Sequence, residues 1–404
     1  MMAKYVLFII LIAWCPYQPV SAQRQLKAVR SHLKNKNGSE ALKLVAELEK
    51  DSVLRTNPRL YDLGKQAQII INNSDNEKIY LKQAYDTVRF FNSTYGIIEY
   101  ILKCEQAEQA QFEKEGKKIK YHRENGDLLH LHFPNIEVAC RYWYSKQKYA
   151  EAAKFLKMYL TLPHTSVWGK EKTILSSKKY SRNASLYLIS SYEQKDYDEM
   201  KKYKEVALED SFMRRKVLYC LTLASQSLKE EKEYKTYLCD GLKEFPTDPF
   251  FFTNLTDYYT QHGDYNSSLL LADTLLDIDS VNLYFLEAKT VALLNLGRNE
   301  EAILSGKRIL QVDSSFTNAN YYIGAAYCNM AKNIELPTNI NSKAYKKANA
   351  ALKEYYAAAL PYLEQYRNAA PQETKRWAPL LYRIYLSLNK GKQFEEIDKL
   401  LKTL

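Results

Sequence analysis

At 404 residues the chain is longer than one compact core supports, so it either divides into domains or extends as a stack of units that bury their faces against one another. Only 12 Gly and 11 Pro accompany 34 Tyr and abundant Leu, Ala, Lys and Glu, a composition that excludes a turn-rich all-β fold and predicts an all-α one. The formal charge of +11 raises nucleic acid as a partner, but the basic residues are spread along helical faces with no long basic run, which argues against it; an anionic envelope surface or an acidic partner would equally suit the sign.

The first 22 residues read as a secretory signal, with Lys4 for positive charge, an apolar run from Tyr5 to Trp14, and small residues at Val20-Ser21-Ala22 before Gln23. That run of about 10 residues is too short to cross a bilayer core of roughly 30 Å, and no later stretch is apolar enough, so no transmembrane segment is expected in the mature chain. Cys15 follows the bulky Trp14, which does not suit a lipidated cysteine. Cys104, Cys140, Cys220, Cys239 and Cys328 have no CxxC spacing and fall in apolar helical patterns, as buried free thiols do.

Residues 23–115 predict helices, among them Leu60–Asn72 and Glu77–Phe91, without repeat landmarks: divergent repeats or an N-terminal cap. Residues 116–135 form an insertion. Within it Ile119–Phe133 places Glu124-Asn125-Gly126-Asp127 between segments that alternate, which fits either a projecting β-hairpin or a longer helix-loop-helix junction. His130 and His132 would share a face if that segment were a strand, but no third ligand accompanies them unless His122 lies opposite, and polar residues on an exposed strand are the simpler reading. Over 136–214 degenerate units follow: Cys140, Trp143, Tyr149 and Ala152 in one, Leu188, Tyr192 and Tyr197 in another.

From residue 215 onward a period of 34 residues sets in. Gly263 and Gly297 lie one step apart, Asp279-Ser280 recurs as Asp313-Ser314, and Leu275-Leu276 recurs as Ile309-Leu310. Units therefore open at Arg215, Pro249, Leu283 and Thr317. Ile323-Gly324 with Tyr327, Gly297 in a turn, Ala302 at a small position and the closing Pro246 resemble the tetratricopeptide repeat, in which two antiparallel helices pack closely across small side chains. Ala359, Leu363 and Pro371 resume the pattern after an insertion of about 23 residues near 333–356. Pro337 should end the helix before it, Ala344–Tyr356 should be additional helix, and Pro361 should kink that run or open a new helix. Trp377 begins a last unit.

The resemblance implies a tetratricopeptide helical solenoid whose first helices line a groove for a protein or peptide partner. Carried onto these units, the groove positions include Lys216 and Tyr219; Thr253, Asp257 and Gln261; Tyr284, Glu287 and Asn295; Tyr321 and Asn329. The same tyrosines could instead pack between repeats. The Lys and Asn that grip a terminal carboxylate in chaperone-binding members are absent, since the corresponding places hold Tyr219, Thr253, Glu287 and Tyr321, and Leu223, Asp257, Val291 and Ala325. No phosphate loop, HExxH or GxSxG motif occurs, so no catalytic residue, metal or cofactor is expected. The reading is an exported protein-binding scaffold, with a bacterial periplasm as its compartment; glycan capture at the cell surface is the alternative, and an enzyme site in the N-terminal region the third. Asp-Ser/Thr-apolar triplets at Ser52, Thr87, Thr274 and Ser280 resemble an O-glycosylation consensus of some bacterial envelope proteins. Asn37, Asn72, Asn92, Asn183, Asn254 and Asn266 carry the N-glycosylation pattern.

Overall fold

The computed structural model describes residues 18–403, and within them every regular element is helical. The apolar run of the expected signal segment and Cys15 lie outside the described residues. The chain forms two compact units, 1–220 and 221–404, each an all-α run of helix pairs in which sequence neighbours pack together.

In the first unit, α1 (Gln18–Lys34), α2 (Gly38–Leu48), α3 (Pro58–Tyr80) and α4 (Thr87–Glu115) lead into α5 (His122–Ser145), α6 (Tyr149–Thr161), α7 (Lys178–Glu193), α8 (Tyr197–Lys201) and α9 (Lys204–Leu208). Asn57 and Asp86 cap α3 and α4 by accepting from backbone N–H groups of their first turns. The break between those two helices falls at 81–86, inside the segment expected to be one helix over Glu77–Phe91. Ala41, Val45 and Leu48 of α2 close against Leu60, Leu63 and Ala67 of α3. Beside that core lies Lys65, wholly buried, its ammonium bound to Asp62 at 3.1 Å, Glu124 at 3.2 Å and Asn125 Oδ1 at 2.8 Å, so its charge is answered within the helix junction.

No hairpin occurs at 119–133. Glu108 accepts from the backbone N–H groups of Lys120 and Tyr121, and the chain enters α5 directly. What reads as alternation is the inner face of a helix: Asn125, Leu129, His132, Phe133, Ile136, Ala139, Cys140 and Trp143 are buried, whereas Leu131 is 68% exposed. A strand would have put Leu131 on one face with Leu129 and Phe133. The helix also separates the histidines: His130 meets the Trp168 carbonyl at 2.9 Å, His132 is buried, and His122 contacts Glu105 at 2.6 Å.

Helix α10 (Arg214–Leu228) carries the chain from the first unit to the second, which contains α11 (Glu231–Glu244), α12 (Pro249–Gln261), α13 (Tyr265–Leu276), α14 (Leu283–Asn295), α15 (Asn299–Val312), α16 (Thr317–Lys332), α17 (Lys343–Ala369), α18 (Thr374–Ser387) and α19 (Gly391–Leu401). The four first helices α10, α12, α14 and α16 begin at or within one residue of the openings expected from the 34-residue step. Turn geometry keeps the same step: Lys229, Gly263 and Gly297 all take left-handed φ, of 59°, 68° and 74°. Glycine does so without a Cβ penalty; Lys229 does not.

The insertion has the expected form in part. Residues 333–342 form the loop after α16, and the added helix runs unbroken into the unit's second helix as α17, with Pro361 inside it. Pro361 and Ala357 are both exposed, so water can serve the carbonyl that the proline leaves without a donor.

Candidate functional site

The site follows from how the first helices of the second unit stack. Asp248 and Asn282 start α12 and α14, each accepting a backbone N–H two residues on, from Phe250 at 3.0 Å and Tyr284 at 3.1 Å. Besides its sequence neighbours, α12 touches α14, α14 touches α16, and α16 touches α18, so successive first helices form one face. Small or hydroxylated side chains permit the approach. Thr256 and Thr290, one repeat step apart, are buried, with Thr290 Oγ1 bound to the Leu286 carbonyl at 2.7 Å and to Ser305 Oγ at 2.8 Å; Ser268, Ala302 and Ala359 hold the small place on the second helices. The fold is that of a tetratricopeptide-repeat protein.

No family model matches the sequence, and no curated protein matches it. Among solved structures, the chain is similar to the tetratricopeptide-repeat domain of P58(IPK), at 13% identity over 88% of this chain and 100% of that one with a TM-score of 0.25. It is also similar to a monomeric mutant of IFIT1 (15% identity, 89% and 78% of the two chains, TM-score 0.36) and to yeast Tom70 (12%, 91% and 85%, TM-score 0.29). Scores this low carry no residue correspondence; the tetratricopeptide character rests on the register and helix packing of this chain itself.

On the first-helix face a cavity of about 260 Å³ opens between α12 and α14. Thr253, Asp257 and Thr260 line it from α12, Tyr284, Glu287 and Val291 from α14, and Tyr322 reaches in from α16. Tyr284 is 56% exposed and stands at its edge. Glu287 Oε1 accepts from Tyr322 OH at 2.8 Å and Asn318 Nδ2 at 3.2 Å, tying α14 to α16; burial, then the Glu287 charge, pushes the Tyr322 phenol up.

A second cavity, of about 390 Å³, adjoins the first at Asp257. It is lined by Ser225 and Gln226 of α10, Lys229 and Glu230 of the turn, Glu231 and Tyr234 of α11, and Asn254, Asp257, Tyr258, Gln261 and His262 of α12 and its end. The Tyr258 hydroxyl donates to Glu231 at 3.1 Å, and His262 Nε2 meets the same carboxylate oxygen at 2.7 Å. Its hydrogen bond with the Tyr258 carbonyl, and then that carboxylate, raise the His262 pKa. Burial raises the Asp257 pKa.

Of the ten groove residues expected from the repeat, Thr253, Asp257, Tyr284 and Glu287 line the first cavity, and Asp257 and Gln261 the second. The other five line neither cavity. Lys216 lies in the first unit, its ammonium 3.4 Å from the Tyr144 hydroxyl and 5.9 Å from that ring's centroid; Tyr219, on the same helix, is 38% exposed. Asn295 donates to the Val291 carbonyl of its own helix, and Asn329 to Asn299 of α15. Tyr321 is a packing residue, 5.2 Å from the Tyr366 ring with the Arg376 guanidinium 4.1 Å over its own. Missed altogether were Tyr322, Tyr258 and Tyr234, the last at the step where later units carry Ser268 and Ala302. Of the glycosylation patterns, Asn72 and Asn183 are buried in the folded chain.

Proposed function

We propose that the chain is an exported scaffold, resident in a bacterial periplasm, that holds a segment of a partner protein across the first helices α12 and α14. It acts by binding, with no catalytic step. The observation that carries this reading is the pair of neighbouring cavities that share Asp257 as a lining residue, on the first helices of successive repeats. Extended segments suit such a surface: Tyr284 and Tyr258 offer broad rings with a polar tip at low entropic cost, while Thr253, Thr260, Asn254 and Gln261 supply donors and acceptors along the path. Tyr284 stands exposed with no core to fill, as a contact residue would.

The test is affinity purification of the tagged chain from its native cell envelope, with mass spectrometry of what stays bound. Reproducible partners that are lost with Tyr284→Ala, and kept with Tyr80→Ala on the exposed end of α3, are the expected result. Partners that survive Tyr284→Ala would move the contact off this groove, and recovery of none would overturn the scaffold. Export is checked separately: the envelope form should begin at Gln23, and a cytoplasmic chain that keeps Met1 or Met2 would refute it.

A further inference from the structure

The chain as a whole is basic, yet the cavity between α10 and α12 is not. Asp257, Glu230 and Glu231 face it against Lys229 and His262, and His262 already rests on Glu231. The carboxylates around the groove are mostly engaged: Glu231 accepts from Tyr258 and His262, and Glu287 from Tyr322 and Asn318. Among the described residues Asp257 has no hydrogen-bond or ion-pair partner, and its raised pKa has burial as its sole cause. A carboxylate drawn part-way out of water without a counter-charge gains most from a cation that brings both charge and N–H donors.

The walls suit the rest of such a ligand. The Tyr234 and Tyr258 rings stand 6.2 Å apart at 52°, their hydroxyls directed to Asn254 Oδ1 at 3.3 Å and Glu231 Oε1 at 3.1 Å, which fixes the ring planes. Aromatic faces attract cations, and this cluster does so within the chain, for the Lys235 ammonium lies 5.6 Å from the Tyr258 centroid and 5.2 Å from that of Tyr259. Lys235 does not line the cavity.

We propose that this cavity is the subsite for a basic side chain, arginine or lysine, of the segment held in the groove. The aliphatic stem lies along the Tyr234 and Tyr258 rings, which touch each other and form one wall, the charged head meets Asp257, and the neighbouring residues of the segment pass toward the α12–α14 cavity beside Tyr284. This rests on the scaffold reading above and adds to it the chemistry that the partner must carry.

A display library of random 12-residue peptides, panned against the full chain, tests both and separates them. Enriched peptides should share Arg or Lys at one position. In fluorescence anisotropy, changing that residue to Gln in the peptide, or Asp257→Asn in the protein, should each weaken binding roughly tenfold, with little further loss when both are made, and binding should fall as salt rises. The peptide arm stands even if a protein variant is perturbed, and Asp257→Asn is nearly isosteric on a side chain that keeps part of its surface in water. Peptides that enrich, lose affinity with Tyr284→Ala, and show neither a basic preference nor any response to Asp257→Asn would overturn this subsite while leaving the scaffold. If no peptide enriches, both fall.

Discussion

Gly241→Ala sets two known effects against each other at one helix crossing. Gly241 lies inside α11, where replacing glycine by alanine ordinarily gains about 1 kcal/mol in helix propensity. Here an ideal Cβ would stand 2.3 Å from Phe251 Cδ1 and 2.4 Å from Cε1, where ordinary contact begins at 3.4 Å. The Phe251 ring must therefore retreat by about an ångström. It has nowhere to go, being 1% exposed and held between Phe245 and Phe250, with centroids at 6.3 and 5.2 Å. Overpacking of that kind costs about 1–3 kcal/mol, and with no flexible end to yield, the upper half of the range applies. The expected result is a net loss of roughly 1–2 kcal/mol, read as a lower urea midpoint at unchanged slope. Gly391→Ala is the control: its Cβ would meet nothing within 4 Å, so its effect should stay within about 0.5 kcal/mol. A midpoint that rises with Gly241→Ala would mean that propensity alone operates and that α11 and α12 are not in the close contact described.

Thr290→Val should cost about 1–2 kcal/mol, because it keeps the volume but removes the buried bond to Ser305 and leaves that hydroxyl with only the Leu286 carbonyl at 3.4 Å; the same denaturation curves measure it. Lys65→Met should cost roughly 3–5 kcal/mol by stranding Asp62, which is 8% exposed, and a loss under 1 kcal/mol would refute the pairing. Lys195→Gly should stabilise by up to about 1 kcal/mol, since Lys195 holds a φ of 60° that glycine takes freely. Bonds from Lys202, Tyr187 and Lys157 lower the Glu199 pKa from 4.5 to about 2. A depressed carboxylate stabilises the folded chain above its unfolded pKa, so thermal stability should fall as pH drops from about 4.5 toward 2, and Glu199→Gln should flatten that part of the profile.

Where the repeat is regular, the sequence is enough to place the fold. Gly263 and Gly297 mark the turns and Ala302 a crossing, and these local demands recur at each step, so the openings of α12, α14 and α16 can be counted from residues alone. Residues 119–133 were ambiguous for a physical reason: Leu129, Leu131 and Phe133 alternate, and only the coincidence that Asn125, Leu129, His132 and Ile136 also fit a helical face decides against a strand. Leu131 pays for that choice with exposure, which no single-sequence pattern announces.

Five of the ten expected groove residues line the two cavities, and two tyrosines show what repeat positions leave out. Repeat positions say which way a first-helix side chain points but not what the next element lays over it. Thr253 and Glu287 stay in the cavity, whereas Tyr321, at the corresponding position, is covered because the unit with the insertion brings α17 and α18 across it, with Tyr366 and Arg376 on its ring. Tyr234 is the converse. It occupies the crossing position where the following units have Ser268, Ala302 and, past the insertion, Ala359, and a phenol ring there cannot let two helices close as serine or alanine does. The ring instead becomes a wall of the cavity that Asp257 faces. The break in the repeat's small-residue rule at Tyr234 thus marks this cavity in the sequence, because a large side chain at the crossing position keeps the helices from closing and lines the space left.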